Sequence, residues 1–388
     1  MLFRGHIFIK EQCHMASTPD VKIANRTLVY KQLWTDHTDS IAELSKATGI
    51  SLPTVTANIN ELAADGLIRT VGQQESTGGR KANLYELVAD ARTAIGVEVF
   101  ADHSYICLLD IYGKVIADKL LEVKYKDTAE FYSEIGHAIA AFEEKHCPDK
   151  KKVLGIAIAM QGVVSSDHKT VVYGKILNNS GVLLDEFSKY YDLPSLFYHD
   201  SESAAFAESF YKPSLRDASY VLLNRNLGSG LIMNGEIYGG NHSRGQLLEH
   251  MRLVPNGTRC YCGQKGCAES YCSAGGLEAM AGEELELFFA KLRKGDIERK
   301  RIWNKYLTYL GMLIVNVLMV IDVDIVIGGE ISLFMNLDDM KELKAIVRKR
   351  SDFEITDRTI ALQVTGKYAA ARGAGLRYIK NFISNPIV

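Results

Sequence analysis

The 388-residue chain has no uninterrupted apolar run long enough to cross a bilayer. Its longest, Met312 to Gly329, is broken by Asn316, Asp322 and Asp324 and reads as a buried helix running into a strand. The opening MLFRGHIFIK is cut by Arg4 and His6 and is followed by no small-residue cleavage site. It therefore does not read as a secretory signal, and a cytoplasmic location without a membrane partner is the expectation. Positive charge is not in excess: 45 Lys and Arg stand against 47 Asp and Glu, so any contact with nucleic acid must come from a local surface. The cysteines do not pair evenly. There are seven, and three crowd between 260 and 267, which fits metal binding in a reducing compartment better than a disulfide framework. No repeat of solenoid period is present. What is there is ordinary for a folded protein, 47% hydrophobic and 24% charged, and the length predicts two or three domains.

Residues 1–21 show no clear period and read as a loosely ordered leader. Over 22–90 the order is helix, helix, helix, hairpin. Ile23, Leu28, Val29 and Leu33 recur at helical spacing; Ser40 caps a helix that Gly49 stops; Ser51 caps another with Pro53 in its first turn. Strands at Leu67–Val71 and Leu84–Val88 flank a polar turn. This is the order of a winged helix-turn-helix. From 91 onward strands alternate with helices, which predicts a two-lobed α/β protein, with 91–210 as its first lobe and 211–388 as its second.

In the third helix Val55, Ile59 and Leu62 form the inward stripe. The other positions offer Ser51, Pro53, Thr54, Thr56, Asn58 and Asn60, small groups that approach base edges and phosphates closely. Residues 22–90 are not basic overall, with 7 Lys and Arg against 8 Asp and Glu, but 51–60 holds no acid, and Arg80 and Lys81 sit at the wing tip. A basic wing can enter a minor groove or grip phosphate. The competing reading is a helical module for protein contact.

Cys260, Cys262 and Cys267, with His250 upstream, supply three thiolates and an imidazole, a complete set for structural Zn2+. The alternative is a cluster of buried reduced cysteines. Cys13, Cys107, Cys147 and Cys272 read as ordinary thiols.

The segment GEIYGGNHSRGQLLEHMRLVPNGTRCYCGQKGCAESYCSAGG resembles the signature and zinc motif of the ROK family (repressors, open reading frames and kinases). The similarity runs from about residue 22 onward. It implies an actin-like, ribonuclease H-like sugar-kinase fold with a zinc loop, and the winged helix-turn-helix ahead of it is the arrangement of the family's sugar-responsive repressors. By matching positions, His250, Cys260, Cys262 and Cys267 are implied zinc ligands. Asn178, Asp200, His250 and Glu269 are implied sugar contacts, with Gly162 in the nearby turn. Two positions depart from the pattern. His199 stands where Asn usually precedes the aspartate, and Leu247 stands where a glutamate precedes the zinc histidine by three; Gln246 or Glu249 takes over its contact.

The family's kinases cradle phosphate on glycine, whose lack of a Cβ lets backbone N–H groups approach. The first such loop here is Glu98-Val99-Phe100-Ala101, and the second, Asn224 to Gly230, keeps only two glycines. The expectation is therefore not an enzyme but a DNA-binding regulator, a homodimer or homotetramer that reads an operator and answers to a sugar. An ATP-dependent sugar kinase and a sugar-binding scaffold are the alternatives.

Overall fold

Ser40 and Gly49 bracket the second helix as their side chains dictate. Ser40 Oγ accepts from the Glu43 N–H while the Glu43 carboxylate accepts from the Ser40 N–H, and Gly49 turns out of the helix at φ 71°. The structure is a computed structural model that describes residues 18–74, 81–241, 245–357, 359–385 and 387. The chain divides into two units, Met1–Ala91 with Lys380–Val388, and Arg92–Ile379.

The first unit contains α1 (Thr18–Asp36), β1 (Asp39–Ser40), α2 (Ile41–Thr48), α3 (Leu52–Ala64), β2 (Ile68–Gln73) and β3 (Asn83–Leu87). Its three strands pair antiparallel in the order β1-β3-β2. This is a winged helix-turn-helix, with β2 and β3 as the wing. Helix α1 begins at Thr18, inside the segment expected to be a leader, and its buried face is Arg26, Thr27, Val29, Tyr30 and Leu33, while Leu28 is exposed. Arg26 pairs with Asp65 and Glu61, and Lys22 with Glu61, tying α1 to the end of α3. The last residues of the chain complete this unit. Phe382 meets Tyr30 edge-on at 5.8 Å, the Ile387 N–H donates to Thr27 Oγ1, and Ile383 and Ile387 are buried.

The second unit is built twice to one plan. The first lobe runs β4 (Thr93–Val99), β5 (Ser104–Leu109), β6 (Val115–Leu121), α4 (Ala129–His146) and β7 (Val153–Met160). It continues with β8 (Val163–Val164), β9 (Val171–Tyr173), α5 (Asp185–Ser188), β10 (Ser195–His199) and α6 (Asp200–Tyr211). The second lobe opens with β11 (Ala218–Leu223), β12 (Leu227–Met233) and β13 (Glu236–Ile237). Four helices follow: α7 (Glu269–Cys272), α8 (Ala274–Ala281), α9 (Leu285–Arg293) and α10 (Ile297–Leu318). Then come β14 (Asp324–Gly328), α11 (Glu330–Phe334), α12 (Leu337–Arg350), β15 (Ile360–Leu362) and α13 (Ala369–Ser384).

The sheets are ordered β6-β5-β4-β7-β10 and β13-β12-β11-β14-β15. In each, the first three strands meander antiparallel and the last two join parallel. The strand β12 occupies sequence that its glycines suggest is a loop. Each lobe has its own core, with Phe131, Ile135, Phe187 and Phe197 in the first and Trp303, Tyr306, Phe288 and Leu310 in the second. An alanine-rich layer (Ala157, Ala159, Ala204, Ala205, Ala218, Ala374) lies between them. Among the described residues no helix is long and apolar enough to cross a membrane.

Candidate functional site

Strand β10 delivers His199 at its C-terminal end, and Asp200 opens α6, so both stand at the edge where parallel β7 also stops, at Gln161 and Gly162. Asp200 is buried. Its Oδ1 accepts from the Ser201 N–H at 2.7 Å and lies 3.3 Å from His199 Nε2. Burial lifts its carboxyl above the usual carboxylate range, and the His199 ring opposes that lift. Glu249 comes from a single turn, Leu248–His250, and burial pushes it up to about 7.

His199 and Glu249 border a cleft of about 730 Å3 that also takes in Gly162, Lys175, Leu247 and His250, with Val172, Tyr173 and Tyr261, while Asp200 lines an adjoining recess of about 40 Å3 with His199, Asn226 and Glu249. Gly162 sits at φ 130°, where a Cβ would come within 2.8 Å of the Tyr173 carbonyl oxygen, so glycine is required to bring the β8–β9 hairpin onto the cleft.

Asn178 is not brought here, and Glu269 lies beside Glu249 and Tyr261 without lining the cleft. Asn178 is exposed, in the left-handed region at φ 53°, and does not line the cleft. Its neighbour Asn179 is the buried one, donating to the Gln161 carbonyl at 3.0 Å. Glu269 is also turned to other work: its oxygens accept from the Asn226 side chain and from the Leu227 N–H, each at 2.7 Å. It anchors the turn between β11 and β12. Where the missing glutamate would be, Leu247 presents an apolar side chain to the cleft, and Gln246 Oε1 is taken by the Ser219 hydroxyl. Glu249 is the carboxylate that enters. Tyr173, Lys175 and Tyr261 are absent from the residues that sequence alone singles out; only Tyr261, lying between two of the clustered cysteines, carries a signal there.

His250, Cys260, Cys262 and Cys267 place one donor atom each within 4.8 Å of one another. His250 Nδ1 is 3.9 Å from Cys260 Sγ, and Cys262 Sγ is 3.8 Å from Cys267 Sγ. Thiolates at about 2.3 Å from a tetrahedral Zn2+ stand roughly 3.8 Å apart, so the donor set fits such an ion. The loop closes because Gly266, at φ 80°, passes where a Cβ would lie 1.7 Å from the Val254 carbonyl oxygen. Cys107, Cys147 and Cys272 are buried free thiols; Cys13 lies outside the described residues.

On α3, Ser51, Pro53, Thr56 and Asn60 are exposed and Thr54 is half-buried. The Ser51 and Thr54 hydroxyls meet at 2.9 Å, and Thr56 donates to the Leu52 carbonyl. Asn58 does not face outward. It is 2% exposed, because it completes the i, i+3, i+4, i+7 stripe of Val55, Asn58, Ile59 and Leu62, and its Nδ2 has no hydrogen-bond partner among the described residues. Lys81 is exposed just ahead of the second wing strand; Arg80 lies outside the described residues.

The cavity beside the first loop, 98–101, is small. Glu98, Phe100, His103, Asn224, Gly329 and Tyr368 border a cavity of about 40 Å3, room for a few waters. The Phe100 ring packs on His103 at 4.9 Å. The surviving glycines of the second loop serve packing. A Cβ on Gly228 would reach Ser201 Cβ at 2.9 Å, and one on Gly230 would reach Ala205 Cβ at 2.6 Å.

A winged helix joined to a duplicated α/β unit, with a polar cleft and a cluster of one histidine and three cysteines, defines a winged-helix protein with a sugar-kinase-like domain. The chain belongs to the ROK family, whose model matches residues 94–379, and a winged helix-turn-helix DNA-binding model matches 40–69. It is 24% identical over 305 residues to the xylose repressor of Bacillus subtilis, spanning 77% of this chain and 79% of that one. It is 27% identical over 272 residues to the DNA-binding transcriptional dual regulator NagC of Escherichia coli, spanning 69% and 66%. A ROK family transcriptional regulator homologous to the E. coli MLC protein superposes with a TM-score of 0.71 at 21% identity, covering 93% of this chain and 99% of that one. A ROK glucokinase from Streptomyces griseus, solved with glucose and AMPPNP, superposes at 0.62 and 21%, covering 74% and 98%.

Proposed function

We propose that this protein is a sugar-responsive transcriptional repressor that reads an operator through its winged helix and senses a saccharide in the cleft at His199 and Asp200. The observation that carries the reading is the union, in one ROK-family chain, of a winged helix-turn-helix with a kinase-like domain in which Phe100 lines the small cavity beside the first loop. A xylose repressor and an N-acetylglucosamine repressor among its relatives point the same way.

In this reading Asp200, Glu249, His199 and His250 accept or donate hydrogen bonds to sugar hydroxyls. Asp200 works as an acceptor and not as a catalytic base, because phosphoryl transfer needs positioned phosphates and the cavity beside Glu98 has no room for them. Zn2+ on His250, Cys260, Cys262 and Cys267 would supply structural closure without an open coordination position. The loop so fixed carries His250 and Tyr261 to the cleft. Ser51, Pro53, Thr54, Thr56 and Asn60 face the major groove, with Arg80 and Lys81 on the neighbouring phosphates or minor groove. A homodimer or homotetramer presents paired winged helices to a palindromic operator. Sugar lowers operator affinity through a coupling of about 1–3 kcal/mol.

Fluorescence anisotropy with DNA from upstream of carbohydrate-utilisation genes tests the reading. Binding should be salt-sensitive, weakened by Asn60→Ala and by Lys81→Ala, and relieved by one sugar without ATP. ATP-dependent phosphorylation of that sugar, abolished in Asp200→Asn, would restore the kinase assignment.

A further inference from the structure

We propose that the cleft is built for a saccharide of at least two rings. The inner ring lies in the cleft against His199 and Glu249, with Asp200 in the small recess behind them, and the second ring stacks at the mouth against Tyr173 and Tyr261. This inference rests on the sugar-sensing reading above and narrows its ligand.

The cleft is divided chemically. Its inner end is polar: His199 and Glu249 border it and adjoin the small recess where Asp200 lies 3.3 Å from the His199 ring. Its rim carries four exposed apolar or aromatic side chains, Val172, Tyr173, Leu247 and Tyr261, at 52, 49, 41 and 40% exposure, alongside the exposed polar Lys175 and Gln264. Single exposed apolar residues are commonplace, but a contiguous group at the rim of a cleft marks a contact surface. A pyranose fits such a division, because its hydroxyls point outward around the ring while one face presents C–H groups that pack on an aromatic ring.

Both tyrosines are held in place before any ligand arrives. Tyr173 ends β9, paired with Val163 across the hairpin that Gly162 brings inward. Tyr261 is fixed between Cys260 and Cys262, its ring edge-on to His250 at 5.3 Å. Preorganised platforms of this kind cost little ordering entropy on binding. The volume agrees. About 730 Å3 lies well inside the roughly 300–1,000 Å3 range of sites that enclose drug-sized ligands, and one pyranose is only about half such a ligand. Leu247 adds an apolar side chain to the same rim.

Isothermal titration calorimetry of the full-length, zinc-loaded protein decides. Glucose, xylose, galactose and N-acetylglucosamine are compared with maltose, cellobiose, xylobiose, lactose and chitobiose. At least one disaccharide should bind about tenfold or more tightly than either of its component sugars. Tyr173→Ala should bring that preference to within about twofold, and Tyr173→Phe, which keeps the ring, should retain it. Circular dichroism melting confirms that each variant is folded. A monosaccharide that binds as tightly as every disaccharide containing it, or a preference untouched by Tyr173→Ala, overturns the two-ring assignment and leaves sugar sensing intact. Failure of every saccharide of either length to bind removes the sugar-sensing reading itself.

Discussion

Glu269 holds Asn226 at 2.7 Å, side chain to side chain, and its other oxygen holds the next backbone N–H. A buried carboxylate with both oxygens engaged is a structural anchor. Removing it strands two donors in the interior, and Glu269→Ala should cost about 2–4 kcal/mol, read as a lower urea midpoint. Wild-type stability in that variant would return Glu269 to the role the family resemblance implied.

Asn58 makes the opposite case. It lies on the buried stripe of α3 with an Nδ2 that has no partner among the described residues, so that N–H2 group is desolvated without a compensating bond there. Asn58→Leu should raise the melting temperature, by an amount corresponding to about 1 kcal/mol, and leave operator affinity within about twofold. Asn60→Ala, on the exposed face, should weaken DNA binding without altering stability. A large loss of DNA affinity in Asn58→Leu would place that side chain at the interface after all.

Glu98 gives the fold a pH dependence. Burial raises its carboxyl from 4.5 to about 8, only partly offset by the hydrogen bond it accepts from the Ala371 N–H. The folded protein thus retains a proton that the unfolded chain releases. The associated stability is complete below about pH 4.5 and is lost as pH climbs to about 8. Glu98→Gln, which can still accept from Ala371, should flatten the unfolding midpoint against pH across that window. A difference between variant and wild type that stays constant from pH 4.5 to 8 would contradict this account.

The cluster of His250 with the three cysteines predicts a metal content. Plasma emission spectrometry should find about one zinc per chain, lost in Cys260→Ser. Chelation should lower the melting temperature and weaken sugar binding together, since the same loop carries Tyr261 and His250. Sugar affinity that survives complete removal of the ion would separate the loop from the cleft.

Local signals carry much of this architecture. Ser40, Gly49 and Ser51 mark helix ends through their own side-chain and backbone preferences, and cysteine spacing marks a donor set whatever the rest of the chain does. Polarity misleads in two places. Asn58 and Arg26 suggest solvent by their chemistry, yet both are buried, because a stripe at helical spacing is set by packing neighbours and tolerates a polar member. The glycines of 227–233 suggest a loop, although they serve strand β12 against α6. Glu269 depends on a partner 43 residues away, and Tyr173 on a hairpin's placement. No local pattern announces either.

The packing of Gly228 and Gly230 against α6 bears on how such chains are sorted from catalytic cousins. Two glycines kept for steric reasons persist in a regulator as readily as in a phosphotransferase, so counting them misclassifies. In the reading proposed here the discriminating stretch is 98–101, where Phe100 packs on His103 beside the small cavity; Phe100→Gly would enlarge that cavity and leave the second loop as it is.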